Sequence, residues 1–218
     1  MKPKKLIIPA VLSTDIDDYK MKLAKVEGLA DKVQIDVMDG RFVENKTIPL
    51  DKLGIVKTKT YLEFHMMVDA PWAYIPAVAA LGGKTYIFHI EACHNEKNVH
   101  DILERIIQYK MQPSIAINPE TPLKAILPYL SQLEHVLIMT VHPGKMGQKF
   151  ISNALQKVRA IRKKYSNINI EVDGGINAET LPKVLKAGAN YFVMGSAIYT
   201  GDAKQNISHY KKILNFRK

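Results

Sequence analysis

The chain has 218 residues, 47% of them apolar and 24% charged, with 12 Gly, 11 Pro and one Cys, which is enough for a sizeable core and unlike a disordered segment. The lone Cys93 excludes an internal disulfide framework, and no apolar run approaches the roughly 20 residues that cross a bilayer, so a cytoplasmic protein without membrane contact is expected. The net charge of +10 raises the question of a polyanion, but the basic residues gather at the N-terminus, at Arg162-Lys163-Lys164 and around Lys211, Lys212, Arg217 and Lys218, in stretches that read as solvated helix faces. No nucleic-acid partner is expected, and the basic field suits a small phosphorylated substrate instead.

Short β-rich apolar runs recur at intervals of roughly 20 to 30 residues, each followed by a stretch with helical spacing. In chain order the strands are expected at Leu6–Leu12, Lys32–Val37, Tyr61–Val68, Thr85–Ile90, Gln112–Ile117, His135–Thr140, Ile168–Val172 and Tyr191–Met194. Helices are expected at Asp18–Glu27, Trp72–Leu81, Val99–Tyr109, Asn153–Lys164 and Ala178–Lys186. Three helix-to-strand joints resemble one another: Gly28-Leu29-Ala30-Asp31, Gly82-Gly83-Lys84 and Gly188-Ala189-Asn190. A glycine there suits a helix C-cap, since it enters the left-handed region without a Cβ penalty. Eight such units predict an α/β fold, a single (β/α)₈ TIM barrel domain over residues 1–218, with an open doubly wound sheet as the runner-up.

In such a barrel chemistry belongs at the C-terminal strand ends. Alternation along the second strand puts Gln34, Asp36 and Met38 on one face, and an acid in an apolar strand must be paired, hydrogen-bonded or bound to a cation. His65 on the third strand, His89 and Glu91 at the fourth, and Glu171 and Asp173 on the seventh are expected to converge at the same end. Asp36, His65 and Asp173 offer two carboxylates and an imidazole, a set suited to one divalent metal ion such as zinc, manganese or iron. Two carboxylates also suit moving a proton onto and off a carbon beside a carbonyl. Glycines follow three consecutive strands: Gly144 and Gly147 flank Lys145 and Met146, then come Gly174-Gly175 and Gly195-Ser196. Barrels bind phosphate there through backbone N–H groups, so a sugar phosphate is the leading ligand.

These segments resemble the ribulose-phosphate 3-epimerase family along nearly the whole chain. The resemblance is carried by Ile35-Asp36-Val37-Met38-Asp39-Gly40-Arg41-Phe42-Val43, Phe64-His65-Met66-Met67-Val68, Ala116-Ile117-Asn118-Pro119-Glu120-Thr121-Pro122, Met139-Thr140-Val141, Gly147-Gln148-Lys149-Phe150, Glu171-Val172-Asp173-Gly174-Gly175-Ile176 and Gly195-Ser196-Ala197-Ile198. It implies interconversion of D-ribulose 5-phosphate and D-xylulose 5-phosphate by inversion at C3 through a 2,3-enediolate. Asp36 and Asp173 match the acid/base pair, and Asp36, His65 and Asp173 match three metal ligands for zinc, iron, manganese or cobalt. Met38, Met67 and Met139 match methionines over the reacting centre, and the three glycine segments match phosphate loops. The family also implies a homo-oligomer.

Three positions depart from the family pattern. Gln34 stands where the family has His, Ala10 where it has Ser, and Gly144-Lys145-Met146-Gly147 where it has Gly-Phe-Gly-Gly. A glutamine oxygen suits harder ions than imidazole does. It follows that Gln34 or a water would complete the metal's shell, with His142 and His89 as substitute ligands, and that Lys145 would approach the phosphate. Two further readings share these residues: an epimerase of another ketose phosphate such as allulose 6-phosphate, and a sugar-phosphate-binding protein without turnover.

Overall fold

The computed structural model describes residues 3–54, 58–145 and 147–215. Eight parallel strands close into a barrel in chain order: β1 (Leu6–Val11), β2 (Lys32–Met38), β3 (Tyr61–Met67), β4 (Thr85–His89), β5 (Gln112–Ile117), β6 (His135–Met139), β7 (Asn169–Asp173) and β8 (Tyr191–Met194), which pairs back onto β1. Closure excludes the open sheet, and each strand ends within a residue of its expected bounds. The helices are α1 (Ile16–Val26), α2 (Leu50–Leu53), α3 (Pro71–Ala80), α4 (Glu96–Gln108), α5 (Leu155–Lys164), α6 (Leu181–Ala187), α7 (Ser196–Tyr199) and α8 (Ala203–Asn215).

The expectation of eight full strand–helix units needs correction. Between β5 and β6 the chain forms only two 3₁₀ turns, Leu123–Ala125 and Leu130–Gln132. Pro119, Pro122 and Pro128 explain this, since proline inside a helix removes a hydrogen bond and clashes with the preceding turn. The glycine joints hold: Gly28, Gly82 and Gly188 all have positive φ, and Gly188 caps α6 with its N–H on the Leu185 carbonyl.

Strand alternation sorts the side chains into two environments. Outward residues such as Val33, Ile35, Phe64, Tyr86, Phe88, Ile138, Val172 and Phe192 belong to one large apolar cluster shared with the helices. Inward residues fill the barrel, with separate apolar clusters of Ile87, Ala116, Leu137, Met139 and Val141, and of Ile8, Ala10 and Val193. The buried polar side chains of β2, β3 and β7 lie on this inward side, in two tiers.

The lower tier was not expected. Lys32, Glu63, His135 and Glu171 are all buried at the N-terminal end of the strands. Lys32 Nζ lies 2.7 Å from Glu63 Oε2 and sits over the rings of Tyr61 and Tyr191, 4.9 and 4.8 Å from their centroids. His135 Nε2 is 3.0 Å from Glu171 Oε2. Burial pushes Glu63 and Glu171 each up to about 7, while burial and the nearby Lys32 charge press His135 down to about 3. Glu171 therefore faces the floor of the barrel, and its expected place at the mouth is corrected. Register decides this: Glu171 lies level with Leu137 on β6, one inward position below the Met139–Asp173 pair.

Lys32 is the only side-chain cation in this tier among the described residues, so Lys32→Met strands buried carboxylates. It should destabilise the protein by about 3–5 kcal/mol at pH 8. A carboxyl with a raised folded-state pKa adds stability below its unfolded pKa and loses it as pH rises through about 7. The loss on mutation should therefore be smaller at pH 5, where both carboxyls take up protons; denaturant unfolding at the two pH values checks this.

Candidate active site

The upper tier is built by register. Asp36 of β2 lies level with His65 of β3, Met38 with Met67, and Met139 of β6 with Asp173 of β7. Gln34, two residues before Asp36, shares its inward face and lies level with Ala10. The Gln34 amide Nε2 donates to Asp36 Oδ1 and to Asp173 Oδ2, both at 2.9 Å, and lies 3.4 Å from His65 Nδ1. His65 Nδ1 is 3.1 Å from Asp36 Oδ1 and 3.5 Å from Asp173 Oδ2. Two carboxylates and an imidazole thus meet around one amide group.

Burial and the Asp36 charge push Asp173 up to about 7. Burial opposes a charge on His65, but the hydrogen bond to Asp36 and the charges of Asp36 and Asp173 outweigh it and raise its pKa. Behind His65 a polar chain runs outward. His65 Nε2 is 2.9 Å from His89 Nε2, His89 Nδ1 is 3.2 Å from Glu91 Oε2, and Glu91 Oε1 accepts from the Asn118 N–H at 2.7 Å and from the Thr121 hydroxyl. With His89 Nδ1–H on Glu91, His89 Nε2 accepts from His65 Nε2–H, which leaves His65 Nδ1 turned to the carboxylates. That is the orientation a metal-ligating histidine needs, its other nitrogen held by a partner. The ligand atoms of Asp36, His65 and Asp173 all lie within 4.8 Å of one another, so the set fits a divalent cation.

Above this tier opens a cavity of about 450 Å³, lined by Asp36, His65 and Asp173 at its base, by Met38, Met67 and Met139, and by Gly144, Lys145, Gly147, Gly174, Gly175, Gly195 and Ser196 around its mouth. Met146, also an expected site residue, lies outside the described residues. Gly174, at φ 116°, packs so closely on the β6 loop that a Cβ would stand 2.8 Å from the Val141 N atom. Thr140 fixes the same crossing by donating its hydroxyl to the carbonyls of Asp173 and Gly174. The loop after β2 is clasped to the β6 loop, with Asn45 Nδ2 donating to the Gly144 carbonyl at 2.7 Å. Lys145 sits at the rim, largely exposed, its Nζ 3.8 Å from Glu44 Oε2. His142 is exposed near Glu120, and His89 touches the far nitrogen of His65, so neither joins the carboxylates as a substitute ligand.

The model of the Ribulose-phosphate 3 epimerase family matches residues 6–199. The chain is 39% identical over 214 residues to Ribulose-phosphate 3-epimerase of Bacillus subtilis (strain 168), covering 94% of this chain and 97% of that protein. It is 38% identical over 199 residues to the cytoplasmic isoform of Ribulose-phosphate 3-epimerase of Oryza sativa subsp. japonica, covering 88% and 86%. The chain belongs to the ribulose-phosphate 3-epimerase family. Among solved structures, KGPDC from Streptococcus mutans superposes with a TM-score of 0.76 at 11% identity, covering 97% of each chain, and shares the fold. No helix among the described residues is long and apolar enough to cross a membrane.

Within this epimerase-family barrel, the place of His89 and Glu91 behind His65 was missed, and Asn118 and Thr121 were named only within a segment carrying the resemblance, without a role at the site. The signals were that these polar residues end or follow β4 and β5 and that Asn118 and Thr121 lie in one of the segments carrying the resemblance. Ala10, buried beside Gln34, lines the cavity with a methyl group where the family has a hydroxyl.

The raised Asp173 carboxyl contributes stability below its unfolded pKa that is lost as pH rises through about 7. Asp173→Asn in metal-stripped protein should accordingly raise stability by about 1–3 kcal/mol at pH 8 and leave it little changed at pH 4. Thermal unfolding across that range checks the sign.

Proposed function

We propose that this chain is a cytoplasmic ketose-phosphate 3-epimerase that interconverts D-ribulose 5-phosphate and D-xylulose 5-phosphate. The observation that carries the reading is the meeting of Asp36 and Asp173, from strands that are not neighbours, at the base of a glycine-rimmed cavity. A ketose laid across the base offers one face of C3 to each carboxylate. One takes the C3 proton, and the C–H electron pair forms the C2–C3 double bond as the carbonyl electrons move onto the C2 oxygen. The other, as a carboxylic acid, delivers a proton to the opposite face of C3, and the carbonyl re-forms. Either carboxyl can start, the direction of the reaction deciding which takes and which gives the proton.

Asp36, His65 and Asp173 would hold one divalent cation, zinc, iron, manganese or cobalt, whose chemistry there is to polarise the C2 carbonyl and neutralise the enediolate. Met38, Met67 and Met139 make the surroundings of C3 apolar, which strengthens every charge interaction within. Gly195, Ser196 and Ala197 open the short helix α7, where first-turn N–H groups have no intrahelical partner, and together with Gly174-Gly175 and the segment from Gly144 to Gly147 they receive the phosphate. Lys145 at the rim adds a positive charge to the loop that has lost one glycine.

Incubating each ketose phosphate in heavy water and following C3 by NMR tests the reading. Deuterium should enter D-ribulose 5-phosphate faster than allulose 6-phosphate, and Asp36→Asn or Asp173→Asn should slow entry by about 10²–10⁴-fold. Binding without exchange would leave a sugar-phosphate-binding protein. Lys145→Ala should raise KM by about 2–5-fold with kcat unchanged, as expected for an exposed charge acting on binding alone; steady-state kinetics at low salt checks it.

A further inference from the structure

Gln34 is fully buried, and both hydrogens of its amide are committed, one to Asp36 Oδ1 and one to Asp173 Oδ2, each at 2.9 Å. Its Oε1 is also buried and has no hydrogen-bond partner among the described residues. A carboxamide has two ends of nearly equal size and opposite polarity, so a half-turn about its last torsion exchanges them in place. With only the carboxylates for company, the N–H end is the one that fits. Turned over, the buried Oε1 would face two carboxylate oxygens, acceptor against acceptor. A divalent cation standing among the oxygens and His65 Nδ1, the nitrogen 3.4 Å from the Gln34 amide, makes that arrangement favourable.

We propose that Gln34 is a two-position cation ligand. Its amide N–H group bridges Asp36 and Asp173 when they stand by themselves, and its Oε1 turns in as a fourth donor beside Asp36, Asp173 and His65 when a divalent cation binds. The inference rests on the epimerase reading for the use of that cation, but the turn itself follows from the amide. It has two consequences. The carboxylate pair stays assembled without the ion, because a neutral donor holds it. The donor set becomes three oxygens and one nitrogen, which shifts preference toward harder ions such as Mn²⁺ relative to Zn²⁺.

The full-length protein, labelled with ¹⁵N in its glutamine side chains and stripped of metal, tests this by NMR, with the Gln34 amide assigned by its loss in Gln34→His. One equivalent of Zn²⁺ should shift that amide pair strongly and abolish its scalar couplings to the Asp36 and Asp173 carboxylates. A bound equivalent of Zn²⁺ that leaves both couplings intact overturns the proposal. Calorimetric titration gives a second readout: Gln34→His should raise the ratio of Zn²⁺ to Mn²⁺ affinity by about tenfold or more. An unchanged ratio in a folded variant also overturns it. C3 exchange followed on the same wild-type samples separates the two readings, since absent exchange with a responding Gln34 amide supports the turn and contradicts the epimerase.

Discussion

One amide group holds two carboxylates together inside a closed barrel. Asp36 and Asp173 come from β2 and β7, which never touch as strands, and each would be costly to bury unpaired. Gln34 donates to both at 2.9 Å, and His65 completes the cluster from β3. His89 and Glu91 orient His65 from behind, and Asn118 and Thr121 anchor Glu91 in turn. Phe42, from the loop after β2, packs its ring 4.9 Å from His89, so the loop clasped to the β6 loop also rests on the support of the site.

The barrel interior carries its charge in two tiers divided by apolar packing. The floor joins Lys32, Glu63, His135 and Glu171, whereas the mouth joins Gln34, Asp36, His65 and Asp173. Their chemistry differs because their access to solvent differs. In the floor, Lys32 lies over the rings of Tyr61 and Tyr191 and against Glu63, so its groups compensate one another away from the cavity. The upper tier opens into the cavity, where Asp173 remains partly exposed and able to exchange a proton with a ligand.

Much of the fold was legible in the sequence because each strand is buried on both sides, which makes the apolar runs continuous and their ends sharp. The missing fifth helix was legible only in part: Pro119, Pro122 and Pro128 were visible, but a strand–helix rhythm argued for a helix regardless. Alternation assigned Gln34, Asp36 and Met38 to one face, and strand register brings His65 and Asp173 to the same tier. Alternation could not assign height, because period two says which side a residue faces and not how far along the barrel axis its neighbour stands. Glu171 shows the consequence, since strand register puts it in the floor while Asp173, two residues on, reaches the mouth. Lys32 and His135 escaped notice for the same reason. The Gln34 departure was plain in the sequence, but the direction of its amide depends on side chains from three strands at once.

The central claim is that two carboxylates act on C3 from opposite faces. Turnover in heavy water, stopped while little product has formed, tests it directly when the C3 isotope is read in product and recovered substrate. With two carboxylates, deuterium stands at C3 in the product from its first formation, ahead of any label in the recovered substrate. Product that keeps the substrate's own C3 proton would show one group working on both faces and would contradict it.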